Sequence, residues 1–247
     1  MNFIKYLLRK SAGRAKCLRA RSWRPQWLPP WVVLQTENSV HPHMPEEHAD
    51  LFLAYNASST EIETLHWLHA TSCLIKPKCI LETGVAEGLG TIALAAACKA
   101  NGFGKVHSIE IDSQRCITLN KLLDKEKLSE FVVVHRDDSR DFLRTTNLNF
   151  DLAYFDSLCE IRAEEYTICR QRDILKGIAV FHDTAPLRTQ TLASYPPEPL
   201  HSEYRRQIHE LVKQPGVTGY FESTLSRGLV AIFLEGKSEG GSIRGIK

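Results

Sequence analysis

The sequence predicts a doubly wound α/β domain with a mostly parallel sheet and helices on both faces. Three observations predict it. Between residues 80 and 184, short apolar runs of strand length alternate with longer helical stretches, the pattern of successive βαβ units. The run Ile80-Leu81-Glu82-Thr83-Gly84-Val85-Ala86-Glu87-Gly88-Leu89-Gly90 passes from apolar residues through an acid and three glycines into the apolar stretch 91–98. That order reads as a buried strand, a tight turn and the start of a helix. The chain has 247 residues, 43% hydrophobic and 24% charged, enough for a core that needs no disulfides.

In chain order, the first element is a basic arm. Lys5, Arg9, Lys10, Arg14, Lys16, Arg19, Arg21 and Arg24 precede any acid, so a net charge of +2 leaves the body mildly acidic. Phe3, Ile4, Tyr6, Leu7 and Leu8 interleave with them. The arm therefore reads as an amphipathic segment for an anionic membrane surface, a nucleic acid or a protein partner, as an organelle-targeting presequence, or as a solvated tail. A secretory signal is not expected, and no apolar run reaches the ~20 residues that span a bilayer. Trp23, Trp27 and Trp31 among Pro25, Pro29 and Pro30 should dock on the body or on a partner. Seven scattered cysteines without metal-ligand spacing fit a reducing, cytoplasmic setting. The expected division is an extension over 1–44, a domain over 45–236 and a flexible tail over 237–247.

Helices are expected over 45–57 and 60–75, the second opened by a capping box in Thr60-Glu61-Ile62-Glu63. His66 and His69 read as ordinary helix histidines, since no third ligand stands nearby. The glycine turn follows. Its glycines permit positive φ and a close ligand approach, and the free N–H groups of the next helix face that ligand, so a nucleotide-type cofactor is its natural occupant. The strand 105–112 ends in acid, where Glu110, or Asp112 beside it, is placed to accept ribose hydroxyls. A helix over 113–127 and a strand over 131–135 lead to Asp137-Asp138-Ser139, in which either Asp is also a helix N-cap. The strand 150–157 delivers Asp156 to its C-terminal end, where open α/β sheets bind ligands. A helix over 160–175 precedes the strand 178–184, which ends in His182-Asp183-Thr184. The long proline-containing loop 185–200 suggests a substrate lid. A helix over 201–214 and strands over 217–223 and 228–235 complete the domain.

Two parts of this succession carry a family resemblance. Glu82-x-Gly84-x-x-x-Gly88 resembles motif I of the class I S-adenosylmethionine (SAM)-dependent methyltransferases, and differs in spacing from a dinucleotide G-x-G-x-x-G turn. The stretch from Phe150-Asp151-Leu152-Ala153-Tyr154-Phe155-Asp156 to Val180-Phe181-His182-Asp183-Thr184 is similar to the macrocin O-methyltransferase-like families, and more loosely to catechol and caffeoyl-CoA O-methyltransferases. The resemblance covers roughly residues 78–235. It implies a Rossmann-like seven-stranded sheet with one antiparallel strand inserted near its edge. It implies SAM held by Glu82, Thr83, Gly84, Gly88, Glu110, Asp138, Ser139 and Asp156. It also implies a small-molecule hydroxyl as acceptor, catalytic roles for Asp156, His182 and Asp183, and Mg²⁺ or another divalent cation on Asp156 and Asp183. The chain departs from the pattern at Asp156-Ser157-Leu158-Cys159, where relatives read D-G-x-H, and at His182, where the second acid of a metal-binding pair is usual. A metal-free route would make His182 or Asp183 the general base. Two rival readings are a SAM-binding scaffold without catalysis and a methyltransferase acting on a macromolecule. Oligomer formation is open.

Overall fold

In the computed structural model, residues 24–36, 53–56, 59–186, 199–224 and 227–235 are described. The basic arm, Trp23, most of the expected helix 45–57, most of the expected lid and the tail lie outside them.

Seven strands form one sheet: β1 (Cys79–Thr83), β2 (Lys105–Glu110), β3 (Val132–Arg136), β4 (Phe150–Phe155), β5 (Leu175–His182), β6 (Val217–Ser223) and β7 (Leu229–Leu234). Their spatial order is β3-β2-β1-β4-β5-β7-β6. The first five are mutually parallel, and β7 runs antiparallel to both β5 and β6. This is the doubly wound sheet with a single reversed strand that the sequence predicts. The central strands are buried on both faces, which explains their unbroken apolar runs. Helices α1 (Ile62–Ile75), α2 (Leu89–Asn101) and α3 (Ser113–Glu126) cover one face, where Leu65, Leu68, Ile92 and Leu119 join one core. Helices α4 (Ser139–Thr145), α5 (Cys159–Gln171) and α6 (Leu200–Leu211) cover the other, with Phe142, Tyr166 and Ile208 in the second core. Among the described residues no helix is long and apolar enough to cross a membrane.

Several local expectations change. Leu53 and Ala54 are not helical; they pair antiparallel with Gln35 and Thr36 in a two-residue ladder. The capping box at the start of α1 does not form. Its N-cap is Glu61, without a side-chain cap bond, while the Glu63 carboxylate accepts the Leu53 N–H at 3.2 Å. Strand β2 stops at Glu110 because Asp112 caps α3, accepting the N–H groups of Gln114 and Arg115. Helix α5 ends at Gln171, and Asp173 in the left-handed region (φ 56°) turns the chain early into β5. Of the three tryptophans, Trp27 and Trp31 dock on the body. Trp27 stacks on His69 at 5.4 Å, and Trp31 donates its indole N–H to Glu126 at 2.7 Å with Lys125 over its ring. Residues 24–36 are thus packed against the domain, with Leu28 and Val32 in its core.

Candidate functional site

The carboxyl ends of β1, β2, β4 and β5 converge, as the crossing order of a doubly wound sheet requires. At β1 the turn depends on glycine. Gly84 has φ +78°, and a Cβ there would stand 2.5 Å from the Asp156 carbonyl oxygen, so β1 and β4 meet at their ends only because that atom is missing. Gly88, at φ +80°, is the N-cap of α2.

Glu82 lies beneath this turn, 1% exposed. Its Oε2 accepts the hydroxyls of Thr91 at 2.5 Å and Ser108 at 2.7 Å. Its Oε1 has no protein partner. Burial pushes the carboxyl up to about 7 against the pull of the two hydroxyls. A cavity of about 10 Å³, room for one water-sized group, lies among Glu82, Gly84, Gly90, Tyr154 and Asp156. A buried carboxylate oxygen without a partner beside such a space suits a small cationic head such as an ammonium. At β2, Glu110 is also buried; Oε1 accepts the Asp112 N–H at 2.9 Å and Oε2 the Val85 N–H at 3.2 Å. The carboxylate thereby ties the glycine turn to the end of β2. Asp112, its competitor in the sequence, is occupied as a helix cap.

Glu165 on α5, fully buried, gathers the hydroxyls of Thr83 (2.9 Å), Ser157 (2.8 Å) and Ser139. Burial raises its carboxyl to about 7. Thr83 and Ser139 were expected on the cofactor; their hydroxyls point instead into this hub, and what they can offer a ligand is main chain. Asp138 caps α4 and takes both Nε and Nη2 of Arg140, whose hydrogen bonds hold its carboxyl down at about 2.

The acceptor side is an ionic cluster. Asp156, His182 and Asp183 bring ligand-type atoms within 4.8 Å of one another. The carboxylates are, however, already bonded. Asp156 Oδ1 takes Arg162 Nη2 at 3.0 Å and His182 Nδ1 at 3.1 Å, and Oδ2 takes the hydroxyls of Thr60 and Tyr154 at 3.0 and 2.9 Å. Asp183, in the left-handed region (φ 60°), takes Arg162 Nη2 at 3.3 Å and Arg227 Nε at 2.9 Å. His182, fully buried, places its Nε2 2.8 Å from Glu61 Oε2. Burial alone would lower the pKa of this ring, but the charges of Asp183, Glu61 and Asp156 push it up to about 9. A ring held between carboxylates on both nitrogens is an imidazolium at neutral pH. With a carboxylate at each ring nitrogen, His182 is placed to orient Asp156 and Glu61. The Asp156 carboxyl, pushed up by burial, is pulled below the usual range by His182 and Arg162. The donor set therefore does not fit a divalent cation on Asp156 and Asp183, because guanidinium and imidazole groups already face three of the four carboxylate oxygens and two hydroxyls occupy the fourth, Asp156 Oδ2.

The residues that sequence reading missed are Glu61, Tyr154, Arg162, Glu165 and Arg227. Glu61 was taken into the capping pattern. Arg162 and Glu165, three apart on α5, carried one usable signal: both fall on the face of that helix shared by buried Tyr166 and Cys169.

Comparison with known proteins supplies the class. Residues 81–184 match the family described as "Methyltransferase domain". The fold is shared with the O-methyltransferase TomG from Streptomyces achromogenes, solved with SAM. The two are 19% identical over 73% of this chain and 83% of that one, with a TM-score of 0.60. It is also shared with an O-methyltransferase from Bacillus cereus solved with SAH (16% identity, 73% and 84% covered, TM-score 0.58). A third likeness is the SAH-bound methyltransferase PaMTH1 of Podospora anserina (13% identity, 95% and 97% covered, TM-score 0.60). A search among curated proteins finds no sequence match. Residues 81–184 thus match the methyltransferase-domain family, and the strand order is that of the fold shared with these SAM- and SAH-bound proteins.

Proposed function

We propose that this protein transfers a methyl group from SAM to a hydroxyl of a small-molecule acceptor. The observation that carries the reading is Glu82, a buried carboxylate with one unpartnered oxygen beside a cavity the size of an ammonium head. When bound, SAM supplies an electrophilic methyl group on a sulfonium. Glu82 holds the ammonium end, and the main chain of Thr83, Gly84 and Gly88 lies along the ligand. Glu110 accepts the ribose hydroxyls, and Ile111, directly after it and 67% exposed, offers an apolar face to the adenine. The Asp138–Ser139 backbone closes the far side of the base.

Asp156 lines the same cavity as Glu82 and is the acceptor-facing group. An acceptor hydroxyl reaches its Oδ2 by taking the place of the Thr60 or Tyr154 hydroxyl; its proton passes to solvent, its oxygen takes the methyl group, and the sulfonium leaves as a neutral thioether. His182 and Asp183 position Asp156 rather than moving protons. Positioning is the main contribution, and holding nucleophile and methyl group in line can supply several kcal/mol of the barrier. The six described cysteines are free thiols, which supports a reducing, cytoplasmic setting.

The test is calorimetric titration of the purified protein with SAM, followed by an acceptor screen with radiolabelled methyl. Micromolar binding lost in Glu110→Ala is expected, with transfer to at least one hydroxyl compound. Folded protein that binds no SAM overturns the reading. Binding without transfer to any small acceptor favours the SAM-binding scaffold, a reading that the saturated hydrogen bonding of Asp156 supports.

A further inference from the structure

Mg²⁺ and Mn²⁺ sites present open carboxylate oxygens around a vacancy that several hard donors share. Around Asp156 and Asp183, three of the four oxygens face cations of the chain itself, and the fourth, Asp156 Oδ2, takes the hydroxyls of Thr60 and Tyr154. Arg162, 3% exposed, places one Nη2 between both carboxylates, and Arg227, 6% exposed, closes Asp183 from the β6–β7 connection. Among the described residues, the negative charges of Glu61, Asp156 and Asp183 meet the positive charges of Arg162, Arg227 and His182. A divalent ion would add two positive charges to a balanced, buried cluster, which desolvation penalises heavily. Arg162 is also anchored at every nitrogen. Its Nε donates to the Ser157 carbonyl at 2.8 Å, its Nη1 donates to the His182 carbonyl at 2.6 Å, and its guanidinium lies over the Tyr204 ring at 5.4 Å. Arg227 Nη1 is held by the Ser59 carbonyl at 2.7 Å.

We propose that the acceptor side of this site is metal-independent, with Arg162 and Arg227 supplying in fixed form the positive charge that a divalent cation would bring between Asp156 and Asp183. Metal-independent catalysis presupposes the methyl transfer proposed above; the metal-free packing of the cluster does not.

The deciding experiment titrates EDTA-stripped full-length protein with Mn²⁺, following the free ion by electron paramagnetic resonance and the melting temperature in parallel. No bound ion up to millimolar Mn²⁺ and an unchanged melting temperature are expected. One equivalent bound at micromolar concentration, and lost in Asp156→Asn, overturns the proposal. Arg227→Gln removes a guanidinium from Asp183 and should raise Mn²⁺ affinity at least tenfold; no gain in the folded variant overturns the role given to the guanidinium. Arg227→Lys keeps the charge and should stay as unresponsive as the wild type, and a gain there counts against the proposal. Methyl transfer, once an acceptor is found, should proceed undiminished in EDTA, and loss restored by Mg²⁺ overturns it. A protein with no transferase activity at all would sink the proposed function while the Mn²⁺ titration still decides the metal question.

Discussion

Glu82 has one oxygen bonded to two hydroxyls and another bonded to nothing, and this asymmetry sets how the residue titrates. Burial raises its carboxyl to about 7, so near neutrality the ligand-free protein holds it partly protonated. A cationic ligand head favours the ionised form, so binding expels that proton. SAM affinity should therefore weaken by about tenfold for each pH unit below about 7. Calorimetry in buffers of different protonation enthalpy would read the released proton directly, and Glu82→Gln should flatten the pH dependence as well as weaken binding. At Gly84, alanine meets both a left-handed backbone and the Asp156 carbonyl; Gly84→Ala should lose about 2 kcal/mol or more in urea denaturation. Both residues were legible in the sequence, because an acid at a strand end followed by a glycine turn has few other uses. Arg162 was not. A lone arginine on an amphipathic helix reads as solvent-facing, and only the positions of β4 and β5 reveal that it turns inward.

At the scale of elements, the start of α1 is held by three consecutive residues, each reaching a different partner. The Ser59 carbonyl accepts from Arg227, the Thr60 hydroxyl donates to Asp156, and the Glu61 carboxylate pairs with His182. The local pattern Thr60-x-x-Glu63 promised a self-contained helix start, and tertiary contacts overrode it because His182 and Asp156 present stronger, charged partners. Two hydrogen-bonding carboxyl groups two residues apart, Glu61 and Glu63, look alike in sequence, whichever neighbour they find. Removing one partner of a buried ion pair leaves the other uncompensated, so Glu61→Gln should destabilise the fold by about 3 kcal/mol, measured by urea unfolding. The two-residue ladder of Leu53 and Ala54 with Gln35 and Thr36 was too short to carry a strand period. On the neighbouring surface, Trp31→Ala removes an indole bond to Glu126 and a lysine stacked on the ring, and should cost about 1–2 kcal/mol.

Across the whole molecule, histidines at two places, half-buried His107 and fully buried His182, pull the stability profile in opposite directions. His107 packs against His135 on neighbouring strands β2 and β3, ring nitrogens 3.0 Å apart, and burial with the second ring lowers it to about 4. Its folded form favours the neutral ring, so its contribution is present above the ordinary histidine value of about 6.5 and is lost as pH falls toward 4. His182, raised to about 9, gives the reverse: its contribution is full below about 6.5 and is lost as pH rises through 9. Chemical denaturation against pH should show His107→Phe flattening the acid limb and His182→Gln flattening the alkaline limb. The alternation of strands and helices and the glycine turn were readable because they depend on neighbours in sequence; the charge balance was not, because it joins residues as far apart as Glu61 and Arg227. That balance has a consequence for reactivity. With its imidazole held between carboxylates and those carboxylates already accepting guanidinium, imidazole and hydroxyl groups, the cluster offers an acceptor hydroxyl no ready base. The nucleophile must then bring its own acidity. Across a series of substituted phenols of similar size, turnover at fixed pH should follow the fraction present as phenoxide, and aliphatic alcohols of the same shape should react far more slowly.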